Sequence, residues 1–257
     1  MTDIIEYGLG FLPVLVRITG LVMAAPIFGG RGVPNQVKMG LSALIALVIY
    51  PVLAVSLPET AGMVGYGFII AGELFIGICL GFAVTLVFSA IYLAGQLIDV
   101  PMGFGMVNVV DPQSGLQVPI FAQFQYILAS LIFLAAGGHR ALFQALSTSF
   151  ILVPVGGFVG GVNTTVVLFD VFVRMFYLGI KLSLPIITGI LLADVALGIV
   201  ARAVPQINIF VVGFPAKILI GISLFVLVLP AYVTLLVKIF GGQGEVSAVL
   251  RRILGSF

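Results

Sequence analysis

The side chains of this chain that could make or break bonds are few, and they are spread far apart. One histidine, His139, follows Gly137-Gly138 and precedes Arg140. A metal centre would need further His, Cys or carboxylate ligands close to it, and the sequence places none there. Cys79 is the single cysteine and lies in an apolar run, so it forms no internal disulfide and carries no redox signature. An intramembrane protease would need two apposed aspartates. Asp99 and Asp111 flank a loop and Asp194 lies in an apolar stretch, with surroundings that do not resemble such a site. Neither a zinc-protease helix motif nor a phosphate-binding loop is present. These residues predict a chain that is not an enzyme and carries no cofactor or metal.

Charge is the other source of chemistry, and here it sits in unusual places. Arg17, Glu73, Asp170, Arg174, Lys181, Asp194, Arg202 and Lys217 all fall within or beside apolar runs. A charge at the centre of a bilayer costs at least about 2.5–3.5 kcal/mol. Retaining eight implies ion pairing, a watery interior or a protein partner. Asp170 and Arg174 are one helical turn apart and can pair locally, with Lys181 extending a polar stripe two turns on. Glu73 and Lys217, near the starts of their helices, are expected to reach the membrane interface. Arg17, deep in its segment, is expected to have a buried partner rather than to snorkel.

The elements that must hold these residues are set by composition. The 257 residues are 61% hydrophobic and 8% charged, where a soluble domain would be about 45–50% apolar and about 25% charged. So few charges cannot cover a soluble surface, which makes this an integral membrane protein. A net charge of +2, dispersed along the chain, is too small to suggest a nucleic-acid partner. Asp3 and Glu6 occupy the place where a cleaved leader carries cations, so no such leader is expected. Six apolar helical stretches run over 8–29, 38–57, 66–98, 120–150 (broken near Gly137-Gly138), 165–202 (with Pro185 inside) and 209–240. Turn-forming clusters separate them and no polar linker divides the chain, so residues 1–257 read as one domain. The fold class is all-α, built of polytopic membrane-type helical hairpins, some overlong and kinked. Two blocks echo each other, "GVPNQVKMGLS" and "GFPAKILIGIS". They read either as two helix starts with Pro in the first turn or as an internal repeat. Gly77 and Gly81, continued by Thr85 and Ser89, form a small-residue face suited to close helix packing.

Two features resist a plain six-span layout. The acidic N-terminus favours the outside, whereas Lys238, Arg251 and Arg252 favour the cytoplasm, yet six spans put both ends on one side. The stretch 66–98 would be roughly 50 Å long, and 165–202 longer, against a hydrocarbon core of about 30 Å. Either these helices break, or parts of them stand outside the bilayer against apolar protein partners. The second is the expectation.

Between two apolar stretches lies "IDVPMGFGMVNVVDPQSG". It is too rich in glycine for a good helix and too apolar for an exposed loop. Met102, Phe104 and Met106 are deformable or bulky, Gly103 and Gly105 free the backbone, and Asn108 and Asp111-Pro112 turn the chain back. On the residues alone the segment is either a soft plug or a buried connector packed against its neighbours.

The chain as a whole resembles the FliR family of flagellar type III export gates. The most specific block is "RAVPQINIFVVGFPAKI", with Arg202, Pro205, Gln206, Asn208, Phe210, Gly213, Phe214, Pro215 and Lys217 in the family's positions. The stretch "RITGLVMAAPIFGGRGVPNQVK" adds Arg17, Pro26, Pro34 and Lys38, and "GQLIDVPMGFGMVNVVDPQSG" adds the loop. Pro101 stands where many relatives have glutamine. Injectisome homologues share the Asp-Pro, but the Met-Gly-Phe run and Gly-Phe-Pro-x-Lys look flagellar. The resemblance implies a non-enzymatic subunit of a multi-subunit helical gate with FliP and FliQ, joined by FlhB. It implies one copy of this chain, with a FliP-like N-terminal part fused to a FliQ-like C-terminal part. It places the gate in the bacterial inner membrane at the flagellar basal body, partly on the periplasmic side, where it passes unfolded flagellar proteins. It also implies that Met102, Gly103, Phe104, Gly105, Met106, Val107, Asn108, Val109, Val110, Asp111 and Pro112 form a plug in the central channel. Arg17, Asp170, Arg174, Lys181 and Arg202, with Pro205, Gln206, Asn208, Phe210, Gly213, Phe214, Pro215 and Lys217, would then serve buried charge pairing and subunit packing. The rivals are an injectisome homologue, a pure assembly scaffold, and a small ion-coupled transporter using Asp170, Arg174, Lys181 and Asp194 as a relay.

Overall fold

A computed structural model describes residues 2–30, 32–53, 62–104, 119–158, 162–206, 208–242 and 244–257. Every regular element among them is helical: α1 (Thr2–Ala24), α2 (Asn35–Ile49), α3 (Met63–Met102), α4 (Ile120–Ala135), α5 (Gly138–Leu152), α6 (Val162–Ala203), α7 (Ile209–Phe240) and α8 (Glu245–Leu254).

The helix ends follow from local chemistry. Pro34 stands at the cap of α2 in an extended conformation, a residue that leads into a helix without needing its own N–H. Pro51 cannot continue the α-helical ladder, and the chain tightens into a 3-10 turn at Tyr50–Val52. The expected helix over 38–57 therefore stops earlier than its apolar run. Gly137, at φ +75°, takes the left-handed conformation that ends α4, and α5 leaves it bent by 66°. This is the break expected at Gly137-Gly138. Of the two echoing blocks, only the first is a helix start. Pro215 of the second lies inside α7, which begins at Ile209.

Neither overlong stretch breaks. α3 has 40 residues and α6 has 42, the latter continuous through Pro185, which makes each about 60 Å long. Among the described residues four stretches are long and apolar enough to cross a membrane, and the bent α4–α5 pair makes a fifth if counted as one span. Within α1 the stretch Gly8–Ala24 is a shorter apolar helical run. α8 was not legible as a helix. Its apolar face of Val246, Leu250, Ile253 and Leu254 is buried, while Glu245 in its first turn and Arg251 and Arg252 in its last suit the helix dipole.

The chain forms two compact units, each gathered from segments distant in sequence. The first comprises Met1–Val87, Ala136–Phe172 and Ile239–Phe257, and the second Phe88–Ala135 and Val173–Lys238. In the first unit, α1 lies against the start of α3 through glycines. A Cβ on Gly20 would come within 2.9 Å of the Leu74 carbonyl oxygen, and one on Gly81 within 2.6 Å of the Ala24 Cβ. Thr85 Oγ1 donates a 2.6 Å hydrogen bond to the Ala24 carbonyl. The Gly77–Gly81–Thr85 face is thus a helix-packing surface.

At the centre of this unit Arg17 and Glu73 are both 0% exposed, with Nε 2.5 Å from Oε2. Arg17 Nη1 donates to Ser149 Oγ at 3.1 Å and Nη2 to the Val153 carbonyl at 2.9 Å. The guanidinium also sits 4.3 Å from the centre of the Phe150 ring. Glu73 Oε1 accepts from the Gly156 N–H at 3.2 Å. Arg17 has its buried partner, as expected. Glu73 is not an interfacial charge: it is fully buried against Arg17 and the Gly156 N–H, and only burial with a cation satisfies its charge. Arg17→Met is therefore expected to destabilise the protein by about 3–5 kcal/mol by stranding the carboxylate. Thermal unfolding in detergent checks this, and adding Glu73→Met should restore most of the loss.

Candidate functional site

The second unit holds the foot of the 102–112 segment, and three devices fix it. The first is the end of α3. Met102 is 0% exposed and packs in one cluster with Ile98, Phe121, Ile186, Ile190 and Phe225, with Phe104 against its edge. Gly221 of α7 makes room for it, since a Cβ there would lie 2.6 Å from Met102 Cε. Gly103 follows at φ +92°, the left-handed conformation that stops a helix and that favours glycine.

The second device is Phe214. Its ring covers Gly103 so closely that a Cβ on the glycine would stand 2.6 Å from Phe214 Cδ1. Lys217, one turn further along α7, places Nζ 5.9 Å from the centre of the same ring and forms an ion pair with Asp194 of α6. Lys217 and Asp194 are both only partly exposed. Lys217 was expected to reach the interface. Instead a carboxylate on the neighbouring helix gives it a partner within the chain.

The third device was missed in the sequence. α4 begins after Pro119, which has no side-chain oxygen to cap it, yet the helix has first-turn N–H groups to satisfy. Asp99 of α3 supplies the cap from outside: Oδ1 accepts from the Phe121 N–H at 2.9 Å and Oδ2 from the Ala122 N–H at 3.1 Å. Asp99 is only 4% exposed. Gly95, one turn before it, lets α4 approach, as a Cβ there would lie 2.8 Å from the Ala122 Cβ. A signal did exist. An acidic residue in the last turns of an apolar helix is misplaced with respect to that helix's own dipole and calls for an answer elsewhere.

Met102, Gly103 and Phe104 are thus placed, while Gly105, Met106, Val107, Asn108, Val109, Val110, Asp111 and Pro112 lie outside the described residues. Of the charged residues singled out, Arg17 is in the first unit's core, and Asp170 meets Arg252 at 3.3 Å near the surface. Arg174, Lys181 and Arg202 are exposed on α6. Pro205, Gln206 and Asn208 are exposed between α6 and α7, Gly213 is buried and Pro215 exposed, and the Phe210 side chain lies outside the described residues. Asp170 and Asp194 thus answer cations on different elements, Arg252 of α8 and Lys217 of α7. Among the described residues no group of three or more His, Cys, Asp or Glu is placed to hold a metal ion. What the site can do is hold a segment at a fixed origin. Gly103→Val is expected to lower stability by about 1–3 kcal/mol, because it forces a branched residue into left-handed backbone under an aromatic ring. The shift in unfolding temperature in detergent measures it.

Residues 9–242 match the family model for bacterial export proteins, family 1. The flagellar biosynthetic protein FliR of Escherichia coli (strain K12) is 37% identical over 211 residues, covering 81% of this chain and 79% of that protein. FliR of Pectobacterium carotovorum subsp. carotovorum is 36% identical over 220 residues, 86% of this chain and 84% of the relative. FliR of Bacillus subtilis (strain 168) is 34% identical over 222 residues, 85% of each chain.

Proposed function

The chain belongs to the bacterial export proteins, family 1, and from that premise we propose that it is a non-enzymatic subunit of the flagellar type III protein export gate. Its partners in this reading are FliP, FliQ and FlhB, with one copy of this chain per assembly. The gate stands in the bacterial inner membrane at the flagellar basal body, with part of the helix mass on the periplasmic side. Unfolded flagellar proteins are its cargo.

The observation that carries the reading is the surface of α6. Phe169 and Leu192 are each 67% exposed, and Lys181 is exposed between them on the same unbroken helix. Lipid would solvate the apolar groups but charge about 2.5–3.5 kcal/mol for the Lys181 cation. Water would do the reverse. Neighbouring protein helices bearing carboxylates satisfy both, and a helix of about 60 Å has room for such neighbours beyond a hydrocarbon core of about 30 Å.

The 102–112 segment is the plug in this reading. Its described foot is apolar and anchored, and its remaining residues include Met106, Gly105 and the valines of "VNVV". Methionine fills irregular gaps without imposing a shape, and an apolar constriction resists ions by shedding water. An exported chain displaces the segment, and the fixed foot lets it return. The gate itself performs no bond chemistry.

Native mass measurement of the purified complex tests the assembly. A multi-subunit particle with one copy of this chain is the expected result, and a lone monomer in lipid would overturn it. Deleting residues 104–110 should open an ion leak across the inner membrane with the assembled gate expressed; an unchanged leak removes the plug. Arg202→Ala should lower the yield of assembled complex in detergent. Full assembly with lost secretion would assign Arg202 to transport instead.

A further inference from the structure

We infer that the second unit holds a buried water site between α4 and α7, in which one water molecule joins the Gln125 side-chain amide to the Tyr232 hydroxyl. The site lies apart from the ion pairs described above, and no step of the export reading depends on it.

Two side chains in this helix seam carry polar atoms that no protein group answers. Gln125 is 0% exposed, and neither its Nε2 nor its Oε1 has a hydrogen-bond partner among the described residues. Tyr232 is 3% exposed, and its hydroxyl is equally unanswered. A primary amide and a phenol each bring both donor and acceptor, and burying them bare is costly. Leucine and phenylalanine would fill similar space without that cost. Of the four such orphaned atoms among the described residues, three belong to this pair. Concentration at one place, rather than scatter, points to a shared answer.

The helix contacts bring the two residues to neighbouring levels. α3 and α4 run antiparallel: Gly95 faces Ala122, and the Phe88 ring lies 5.5 Å from that of Tyr126 and 5.6 Å from that of Phe133. Met102 therefore lies beyond the start of α4, where it meets Gly221 of α7. One turn further along α7, the Phe225 ring stands 4.9 Å from Phe121 and 5.9 Å from Phe124. α7 thus climbs beside α4 in the same direction. Gln125 follows Phe121 by one turn. Tyr232 follows Phe225 by two, and the two rings are 5.7 Å apart. Side chains lean toward the N-terminus of their helix, which carries the Tyr232 ring back toward the level of Gln125. Leu128 and Leu229 pack on the same apolar cluster, so the two helices stay together past that level.

Gln125 and Tyr232 make no hydrogen bond to each other. What joins them has to span the space between and serve as donor and acceptor at once. Water does both, and a buried water typically makes about three hydrogen bonds to groups of this kind. It can accept from Nε2 and donate to the tyrosine oxygen, or donate to Oε1 and accept from the hydroxyl. Because its partners stand on different helices, the bridge sets the rotation of α4 against α7, which ring contacts alone leave loose.

The test uses the full chain in its native complex, purified in detergent. It compares thermal unfolding of the unaltered chain, Gln125→Leu, Tyr232→Phe and the double variant, beside a cryo-EM map fine enough to show ordered solvent. Each single variant takes one partner from the water and strands the other, so each should lower the unfolding temperature by about 2–6 °C. The double variant leaves the seam dry and should return to within about 2 °C of the unaltered chain. The map should show a solvent peak within hydrogen-bond distance of both side chains. Single variants that each raise the unfolding temperature, with gains that add in the double, would mark Gln125 and Tyr232 as bare groups and overturn the site. So would a map in which the two side chains bond directly or have no solvent peak between them. Should Gln125→Leu fail to assemble, Gln125→Met takes its place and the same signs decide. If neither assembles, the map of the unaltered chain decides by itself.

Discussion

Hydrocarbon offers no hydrogen bonds, so a charge buried among these helices has to be answered inside protein, and that demand organises both units. Arg17 is answered by Glu73, Ser149 and the Val153 carbonyl. Asp99 is answered by the amides of Phe121 and Ala122, and Lys217 by Asp194. Each answer joins elements that sequence keeps far apart, and each fixes a helix in rotation as well as position. Apolar contact alone is non-directional and would tolerate sliding. A carboxylate facing two particular N–H groups would not.

The same demand explains the glycines. To bring the Glu73 carboxylate under Arg17, α1 and α3 must approach until backbone nearly meets backbone, and only Gly20, Gly77 and Gly81 permit it. In the second unit Gly95 and Gly221 do the corresponding service for α4 and for Met102. Polar fixation and close packing are thus two halves of one design. The glycines set the distance at which the charged groups can be answered, and the charged groups select that packing over the many others available to apolar helices.

Much of this was legible in the sequence wherever the controlling interaction was local. Apolar length located the six main helical stretches, and Gly137-Gly138 located the break, because a left-handed glycine acts within one turn. The small-residue face at 77–85 was readable from its spacing. The misreadings share a cause. Glu73 and Lys217 looked like interfacial charges because each lies near the start of a long apolar stretch, while their partners, Arg17 and Asp194, lie 56 and 23 residues away (73 minus 17, and 217 minus 194). Asp99 was seen only as a residue beside a loop, since its two partners are backbone groups that no side-chain pattern announces. α8 does carry Val246, Leu250, Ile253 and Leu254 at helical spacing, but over ten residues with three charges it does not stand out beside the long apolar stretches.

The outside cap on α4 bears on how the chain is made. A helix whose first turn is closed by its own neighbouring residues can form as soon as it leaves the ribosome. α4 cannot complete its first turn in that way, because the acceptor for its leading amides sits on α3. Synthesis runs from N- to C-terminus, so α3 and its carboxylate are already in place when Phe121 emerges, and the second helix is built onto a waiting anion. Vectorial translation thus supplies the order that this join requires. A permuted chain in which α4 preceded α3 would have to bury its leading amides bare until the later helix arrived.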